Sequence, residues 1–498
     1  MICKENYRFG KFLLNKNSKE ILPTILIDLS MKKILLLAFS FSALGSIAQE
    51  LRSSYFMETS AFRHQMNPAL LDKPYVAVPL MGNINIGTRG KNGHSTFLYP
   101  LEGNQDNRLV TFLHPSVDGK DFLKKIKNNV TINANLNYNL LSVAFNAFNG
   151  MNLVEVNLRS NNYGIFPHHL FVFMKSPASK KNYSFKKLGM KSETYAELVL
   201  GHSRKLSRRL SVGAKLKVLI GASYGEFKMN HFNISSAGRY WNIDGDTELT
   251  TAVLNSHLRY SDDPGLQPQN PSNNKPRVND LSDPTFGLPG RGIALDMGVT
   301  YKTPFIEELT LSASLTDVGY IVWKNANLAS SKGNWVFDGF KDFSHYNPTE
   351  SPTVSAQMNR LKIETARMLS LYYDGKKNVG KMLPATINLG ADYVVPSYDK
   401  LHFGVLFSHR FNDIYSFSQM MFSANIRPID WLEASLSTSA TSDSVTFGGM
   451  VSFYTPRFNF YIGSDRFFGS LSEQYIPKNS LNANINLGFV IPLERRYR

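Results

Sequence analysis

The chain has 498 residues, of which 43% are hydrophobic and 12% aromatic, and its formal net charge is +16. Beyond the first fifty residues no segment is a long apolar run, which excludes helical membrane spans there. The only cysteine is Cys3, so disulfides and thiolate metal sites are excluded. Basic residues are dispersed in short runs such as Arg204-Lys205 and Arg208-Arg209, which indicate a solvated turn rather than a nucleic-acid-binding surface.

Residues 31–48 have the pattern of an export signal. Two lysines follow Met31, residues 34–44 are apolar, and Ser-Ile-Ala precedes Gln49. The sequence therefore predicts cleavage before Gln49, with residues 1–30 as an upstream extension and translation starting at Met31. The alternative is an uncleaved membrane anchor, but the apolar run is shorter than the roughly 20 residues that a spanning helix needs.

Residues 49–74 follow the signal and are too irregular for a strand. They hold apolar and aromatic side chains that need burial, which favours a segment folded into the lumen of a barrel as a plug. The alternative is a free periplasmic tail. The candidate plug residues are Tyr55, Phe56, Phe62, Met66, Asn67 and Pro68, with the turn of the plug at Asn67 and Pro68.

From residue 75 onward, apolar and polar residues alternate with a period of two. In residues 131–140 the alternation is nearly perfect, with asparagines on one face and apolar side chains on the other. Such two-faced strands behind an export signal are typical of membrane β-barrels. About fourteen strands are predicted, at residues 75–88, 131–148, 151–160, 194–203, 209–225, 291–302, 309–318, 385–394, 400–411, 416–427, 430–441, 444–454, 457–464 and 481–491.

The connections between these strands alternate in length. Tight turns alternate with longer segments along the chain. This alternation predicts that all the long segments lie on the outer side and that both termini lie in the periplasm. Short amphipathic helices are predicted at 121–129 and 354–373, each either a lid over the pore or simple loop packing. Residues 262–290 are rich in Pro, Asn and Asp and predict an irregular loop.

The alternation also predicts which side chains face lipid and which face the lumen, and it predicts one irregularity in a strand. Leu216 is predicted to face lipid, so Leu216→Arg should damage assembly, whereas Lys217→Leu should be tolerated in a watery lumen. The apolar register of residues 131–147 slips by one residue near Leu140-Leu141, which predicts a β-bulge. The lumen-facing candidates are Lys215, Lys217, Asp296 and Asp317, the two aspartates either binding a ligand or pairing with the lysines.

Several segments carry a family resemblance. Residues 54–57, 63–69, 292–301, 311–323 and 459–466 are similar to a Bacteroidota domain-of-unknown-function family of outer-membrane barrels. More distantly, Asn67-Pro68-Ala69 and the strand layout resemble the FadL-like fatty-acid transporter superfamily, which includes the PorV-type component of type 9 secretion. The resemblance implies a fourteen-stranded barrel with an inward-folded N-terminal plug, and it supplies no catalytic residues.

An enzyme is not expected. His402 and Ser408 share a strand face but stand about 20 Å apart along the strand, His202 and Ser203 point to opposite faces, and His168-His169 lack further ligands at metal-binding spacing.

The fold predicted is an all-β, transmembrane, antiparallel outer-membrane β-barrel of about fourteen strands, with a plug at 49–74 and a barrel with long outer loops at 75–498. The function predicted is a transporter or channel for a hydrophobic small molecule, without a cofactor. The alternative is a structural or secretion-associated barrel that docks partner proteins through its outer loops. Expected partners are outer-membrane lipid and lipopolysaccharide, a hydrophobic ligand, and secretion or envelope proteins, but no nucleic acid.

Overall fold

The computed structural model describes residues 52–77, 83–89, 92, 94–100, 109–126, 128–175, 181–237, 240–253, 258–261, 275–281, 287–337, 371–413, 416–442, 444–466 and 483–493. Its helices are three short 3-10 helices, η1 (Arg52–Ser54), η2 (Ala61–Gln65) and η3 (Pro68–Leu70), and the α-helices α1 (His94–Phe97), α2 (Gly119–Lys125) and α3 (His168–Lys175). None of the helices in these ranges is long and apolar enough to cross a membrane.

The strands of the described residues are β1 (Tyr75–Ala77), β2 (Asn83–Arg89), β3 (Leu98–Pro100), β4 (Leu109–Thr111), β5 (Val130–Ala147), β6 (Gly150–Phe166), β7 (Asn182–Ser184), β8 (Gly189–Lys205), β9 (Leu210–Ala237), β10 (Tyr240–Val253), β11 (Leu258–Ser261), β12 (Arg277–Leu281), β13 (Gly290–Lys302), β14 (Leu309–Phe337), β15 (Tyr372–Met382), β16 (Thr386–Val394), β17 (Leu401–Arg410), β18 (Phe417–Ile429), β19 (Leu432–Thr441), β20 (Val445–Tyr454), β21 (Asn459–Ser464) and β22 (Ala483–Pro492).

The wall is a closed antiparallel barrel. β1 and β2 act as one wall strand because both pair with β5 on one side and with β22 on the other. The circuit continues through β6, β8, β9, β13, β14 and β16, and then through consecutive strands to β22. The described residues thus form fourteen wall strands, which confirms the predicted fold.

The two faces of the wall differ as the alternation predicts. On β9, Leu216 is 51% exposed on the outer face, whereas Lys217 next to it is 2% exposed on the inner face. Polar side chains point inward around the barrel, and the exposed large apolar side chains lie on the outer faces of the strands. The predicted bulge is confirmed, since Asn139 pairs with Asn157 and Leu141 pairs with Val156, which leaves Leu140 without a partner of its own.

The two ends of the barrel are different. At one end, which we call the turn end, short connections at 148–149, 206–209, 303–308, 395–400, 430–431 and 455–458 join the wall strands. At the other, the loop end, β9 and β14 run well past the wall, and β10 pairs with both extensions. The long connections predicted between 225 and 291 and between 318 and 385 therefore contain strands that the sequence did not predict, because β9 and β14 extend past the wall and pair with β10.

The loop end also corrects the helix predictions. The helix predicted over 121–129 is α2, which ends at Lys125, and its Phe122 packs with Phe112 and Phe171 in a buried aromatic cluster. Of the helix predicted over 354–373, residues 354–370 lie outside the described residues, and Tyr372 and Tyr373 begin a strand. The irregular loop predicted over 262–290 contains β12 among its described residues.

Candidate functional site: the barrel interior

The N-terminal segment, residues 52–73, lies inside the barrel near the turn end. Its three 3-10 turns keep it compact, and almost all of its side chains are buried against the wall. The six residues singled out from the sequence all lie here and are all buried, namely Tyr55, Phe56, Phe62, Met66, Asn67 and Pro68. The segment fills space that the side chains of a fourteen-stranded wall cannot fill by themselves.

Two wall carboxylates hold the backbone of the N-terminal segment. Asp465 accepts hydrogen bonds from the backbone N–H groups of Arg52 (2.7 Å) and Ser53 (2.9 Å). Glu433 accepts in the same way from Glu58 (3.0 Å) and Thr59 (2.8 Å). Each carboxylate thus satisfies two donors that no secondary structure satisfies, and charge-assisted bonds of this kind are stronger than neutral ones.

Asn67 forms the turn between η2 and η3. Its side-chain oxygen accepts a hydrogen bond from the N–H of Ala69 (3.0 Å), while its amide nitrogen donates to Tyr55 Oη (3.0 Å) and to the carbonyl of Val299 in the wall (3.3 Å). The carbonyl of Met66 accepts from Ser314 Oγ (2.6 Å) and Asn388 Nδ2 (3.0 Å). The turn is therefore bonded to three different wall strands.

Wall glycines make room for the N-terminal segment. A Cβ atom added at Gly298 would collide with the side chain of Asn67, and one added at Gly213 would collide with the backbone of Pro68. In the same way, Gly404 gives space to the ring of Phe56. Wall and segment are complementary in shape as well as in hydrogen bonding.

His64 connects the N-terminal segment to the wall through both ring nitrogens. Nε2 lies 2.7 Å from Tyr75 Oη, and Nδ1 lies 2.8 Å from Lys215 Nζ. Burial and the Lys215 ammonium lower the pKa of His64 to about 3. The imidazole is therefore neutral, with Nδ1 accepting from the ammonium of Lys215 and Nε2–H donating to Tyr75.

The lumen charge cluster lies next to this segment, on the loop-end side. Lys217 Nζ is 2.8 Å from Asp296 Oδ2 and 2.5 Å from Asp317 Oδ1. Arg159 contacts Glu197 (2.9 Å) and Asp317 (3.4 Å). Lys215, which is 3.7 Å from Glu155, is less tightly paired. The structure thus brings the four lumen-facing candidates together, and it adds Glu197 from β8 and Arg159 and Glu155 from β6.

Asp317 also marks an irregularity of the wall. Its backbone has a φ of 59°, and its N–H donates to the Asp296 side chain (2.7 Å) where β13 and β14 shift register. Such left-handed backbone is uncommon for residues other than glycine and requires support from its surroundings. The ion pair with Lys217 supplies part of that support.

An apolar layer, which we call the lumen apolar layer, lies beyond the charge cluster. On the inner face of β9 the order from the turn end is Gly213, Lys215, Lys217, Leu219 and Gly221. The side chains that pack together in the layer are Tyr195, Leu219, Tyr224, Ile321, Trp323 and Leu383.

Trp323 is the centre of the lumen apolar layer. It is 0% exposed, its ring stacks on that of Tyr224 at 5.2 Å, and Gly221 and Gly290 leave it space, since a Cβ at either position would collide with the indole. Its Nε1–H has no hydrogen-bond partner among the described residues. Sequence reasoning missed this layer, because the register shift at Asp317 reverses the alternation of β14 before Trp323.

The residues considered for catalysis have other partners. His402 bonds to Asp392 (3.0 Å), whereas Ser408 donates to Asn388 (2.7 Å) and accepts from Arg52 (3.3 Å). Sequence reasoning missed the contact of His409 Nδ1 with Ser418 Oγ (2.8 Å), for which the described residues provide no orienting acid. Within the described ranges no group of three or more metal-ligating side chains forms, and His169 accepts from the backbone N–H of Ser184 (3.1 Å).

Comparison with known proteins assigns the family. The model of a family of unknown function, DUF5723, matches residues 68–465. The chain belongs to this family. The expected membership in a family of unknown function is thereby confirmed, and the match spans the end of the N-terminal segment and most of the barrel. No curated protein matches this DUF5723 member.

Solved structures similar to this DUF5723 protein are barrels of low sequence identity. They include the Ralstonia pickettii toluene transporter TbuX (TM-score 0.39, 10% identity, 86% of this chain and 92% of that chain covered) and the CymD monoaromatic hydrocarbon channel (0.37, 9%, 90% and 95%). A Pseudomonas aeruginosa FadL homologue has a TM-score of 0.37 and 11% identity, with 87% of this chain and 94% of that chain covered. At such TM-scores, function has to be inferred from the residues of the DUF5723 chain.

Proposed function

We propose that the protein is an outer-membrane barrel that binds and passes an uncharged, hydrophobic small molecule. The observation that carries the proposal is the lumen apolar layer, because a water-filled pore has no need of a buried Trp323 packed with Leu219 and Ile321. Gly221 and Gly290 let the indole of Trp323 pack directly against the wall backbone in this layer.

The charges near the layer favour an uncharged ligand. Arg159 and Lys217 already contact carboxylates of the charge cluster. On the loop-end side, Lys191 lies 3.2 Å from Glu193 and Lys381 lies 2.6 Å from Glu226. A ligand carboxylate would have to displace one of these internal carboxylates and leave it buried without its partner, which is costly.

The outer face supports the membrane location. Exposed apolar side chains such as Leu200, Leu216, Phe403 and Leu436 lie on its wall strands, as contact with hydrocarbon requires. We infer that residues 31–48 direct export and are removed before Gln49, and that both termini are periplasmic, which makes the turn end the periplasmic end. The barrel then contacts outer-membrane lipid, and its loop end faces lipopolysaccharide.

We infer that the N-terminal segment acts as the plug of the barrel. Its contacts with Glu433, Asp465 and Gly298 reach opposite sides of the wall, so the segment spans the lumen rather than lining one side. In this arrangement it closes the turn end to water and ions, while the lumen apolar layer remains on the side facing the loops.

Ligand binding tests the function. In amphipol, the environment-sensitive probe 1-N-phenylnaphthylamine should bind the intact protein, and 1-octanol should displace it much better than octanoate does. Trp323→Ala should weaken probe binding by roughly tenfold, since a buried aromatic side chain contributes at least about 1.4 kcal/mol. Trp431→Ala, which removes a half-exposed indole at the turn end, is the matched control. Equal affinity in the two variants, or displacement by octanoate as strong as by octanol, would contradict the proposal.

The partner-docking alternative has less support. It requires exposed apolar surface at the loop end. Val336 is exposed there, but the large aromatic side chains among the described loop-end residues pack on one another. Phe97, Phe112 and Phe171 belong to one buried cluster, and Phe185 and Phe232 belong to another.

A further inference from the structure

The turn end carries a concentrated basic patch. Arg204, Lys205, Arg208 and Arg209 lie in and beside the turn from β8 to β9, and Lys302 ends the neighbouring strand β13. All five side chains are exposed, and none of them forms an ion pair with another described residue. These are the short basic runs that the sequence shows, brought together with a fifth cation from an adjacent strand.

Hydrogen bonds keep the basic patch ordered. Ser207 Oγ accepts from the N–H groups of Arg209 (3.2 Å) and Leu210 (3.1 Å), and the N–H of Leu206 donates to the carbonyl of Leu210 (2.9 Å). The N–H of Lys302 donates to the carbonyl of Arg209 (2.8 Å), which joins the two turns. The cations are therefore presented at fixed positions and not on a loose loop.

Exposed apolar side chains lie beside these cations. Phe305 is 94% exposed and Phe148, on the turn from β5 to β6, is 83% exposed; Leu206 and Ile306 are also exposed. Large apolar side chains mixed with arginine and lysine at the end of an apolar wall are typical of the interface between hydrocarbon and headgroups.

The position of Arg204 indicates where the basic patch lies relative to the apolar belt of the barrel. It shares the outer face of β8 with the exposed Leu198 and Leu200, and it follows them toward the turn. At a strand rise of about 3.3 Å per residue, its Cα lies roughly 13 Å beyond that of Leu200 along the strand. Its guanidinium therefore reaches the level at which the apolar belt gives way to headgroups, where long cationic side chains extend toward water.

We propose that this basic patch binds the phosphate headgroups of anionic phospholipids in the leaflet at the turn end. The inference rests on the membrane placement proposed above but not on ligand transport. Charge complementarity and the surrounding apolar side chains favour a lipid, because a free phosphate ion would use the cations but not Phe148, Phe305 or Leu206. Glu307 and Glu308, in the neighbouring turn from β13 to β14, reduce but do not cancel the positive charge of the five cations.

Native mass spectrometry of the purified full barrel tests the assignment. The probes are dioleoyl phosphatidylglycerol, dioleoyl phosphatidylcholine and inorganic phosphate, each titrated separately. Phosphatidylglycerol should bind at least tenfold more tightly than phosphatidylcholine, and the triple variant Arg204→Gln/Arg208→Gln/Arg209→Gln should lose about tenfold in that affinity, since each cation near an anionic lipid surface contributes substantially. Heat-modifiable migration in gels verifies that the variants are folded.

The matched control removes three exposed cations at the loop end, in Lys324→Gln/Lys376→Gln/Lys377→Gln. It should leave phosphatidylglycerol binding unchanged. The proposal is overturned if both triple variants lose affinity equally, if phosphatidylcholine binds as tightly as phosphatidylglycerol, or if inorganic phosphate at low millimolar concentration displaces the lipid. Failure to bind any phospholipid would also overturn the proposal, whereas absence of the protein from isolated outer membranes would contradict the membrane placement itself.

Discussion

At the scale of single residues, Lys217 shows how the structure changes an expectation from the sequence. Alternation correctly places it inside the barrel, but a watery lumen would make its charge dispensable. The ammonium instead lies between Asp296 and Asp317, and all three side chains are buried. Without Lys217, Asp296 would lose its ion-pair partner and Asp317 would keep only Arg159, so we no longer expect Lys217→Leu to be tolerated.

We therefore predict that Lys217→Leu destabilises the barrel by about 3–5 kcal/mol. Urea unfolding from phospholipid vesicles, followed by Trp fluorescence, measures this. Leu216→Arg, the neighbouring change on the outer face, should cost roughly 2–4 kcal/mol at the membrane midplane for the different reason of charge in hydrocarbon. A Lys217→Leu barrel as stable as the wild type would show that the ion pairs contribute nothing.

Gly298 provides a second test at this scale. Gly298→Ala should loosen the N-terminal segment, because the added methyl group collides with the Asn67 side chain. Limited proteolysis of the folded barrel should then cleave the segment at least several-fold faster. Gly225→Ala is the matched control, since a Cβ there meets nothing within 4 Å. If both variants were cleaved at the wild-type rate, the close fit of Asn67 against the wall would be wrong.

At the scale of elements, the N-terminal segment is defined by its contacts with the wall. Thr59 Oγ1 lies 2.8 Å from Ser452 Oγ on β20, and the amide of Asn459 donates to the carbonyl of Thr59. Two side-chain oxygens at this distance occupy positions from which two sulfur atoms can bond with little movement.

Thr59→Cys/Ser452→Cys should accordingly form a disulfide in high yield on oxidation. The only native cysteine is Cys3, which lies in the region predicted to be removed, so the pair would be free of competing thiols. Non-reducing gels of protease-treated barrels, in which the crosslinked segment stays attached to the β20 fragment, measure the yield. Thr59→Cys/Ser437→Cys, with its second thiol on another inner wall position, should crosslink poorly. Similar yields in the two pairs would argue against the docked position of the segment.

Sequence alternation predicted the wall strands well and the loop end poorly. Residues 131–147 alternate so regularly that both the strand and its bulge at Leu140 could be predicted. The sequence of β15, in contrast, is polar on both faces and contains glycines, so no period of two was visible. In β9 a register shift next to Ala222 breaks the alternation beyond the wall.

The interior could be predicted only in part. Alternation identified which side chains point inward, including Lys217 and Asp296, but not which charges pair. Arg159 on β6 reaches Asp317 on β14, a strand distant in sequence, and only the pairing of β9 with β13 in the folded wall brings them together. Glu433 likewise bonds to a segment nearly four hundred residues earlier.

At the scale of the whole molecule, a fourteen-stranded wall surrounds its own N-terminal segment. The wall side chains alone cannot fill a lumen of this width, given that about eight strands already leave just enough room for them. The segment is bonded to strands around the circuit, from β13 and β14 to β19 and β21. In the proposed function, this arrangement excludes ions and leaves the lumen apolar layer available to a hydrophobic molecule.

Single-channel conductance in planar bilayers tests this central claim most directly. The intact barrel should conduct ions weakly or not at all, and a barrel that lacks residues 52–73 should show large, steady openings, because the wall itself begins only at Tyr75. Heat-modifiable migration in gels must show that both proteins are folded. A folded, truncated barrel that conducts no better than the intact one would contradict the claim that the N-terminal segment closes the lumen.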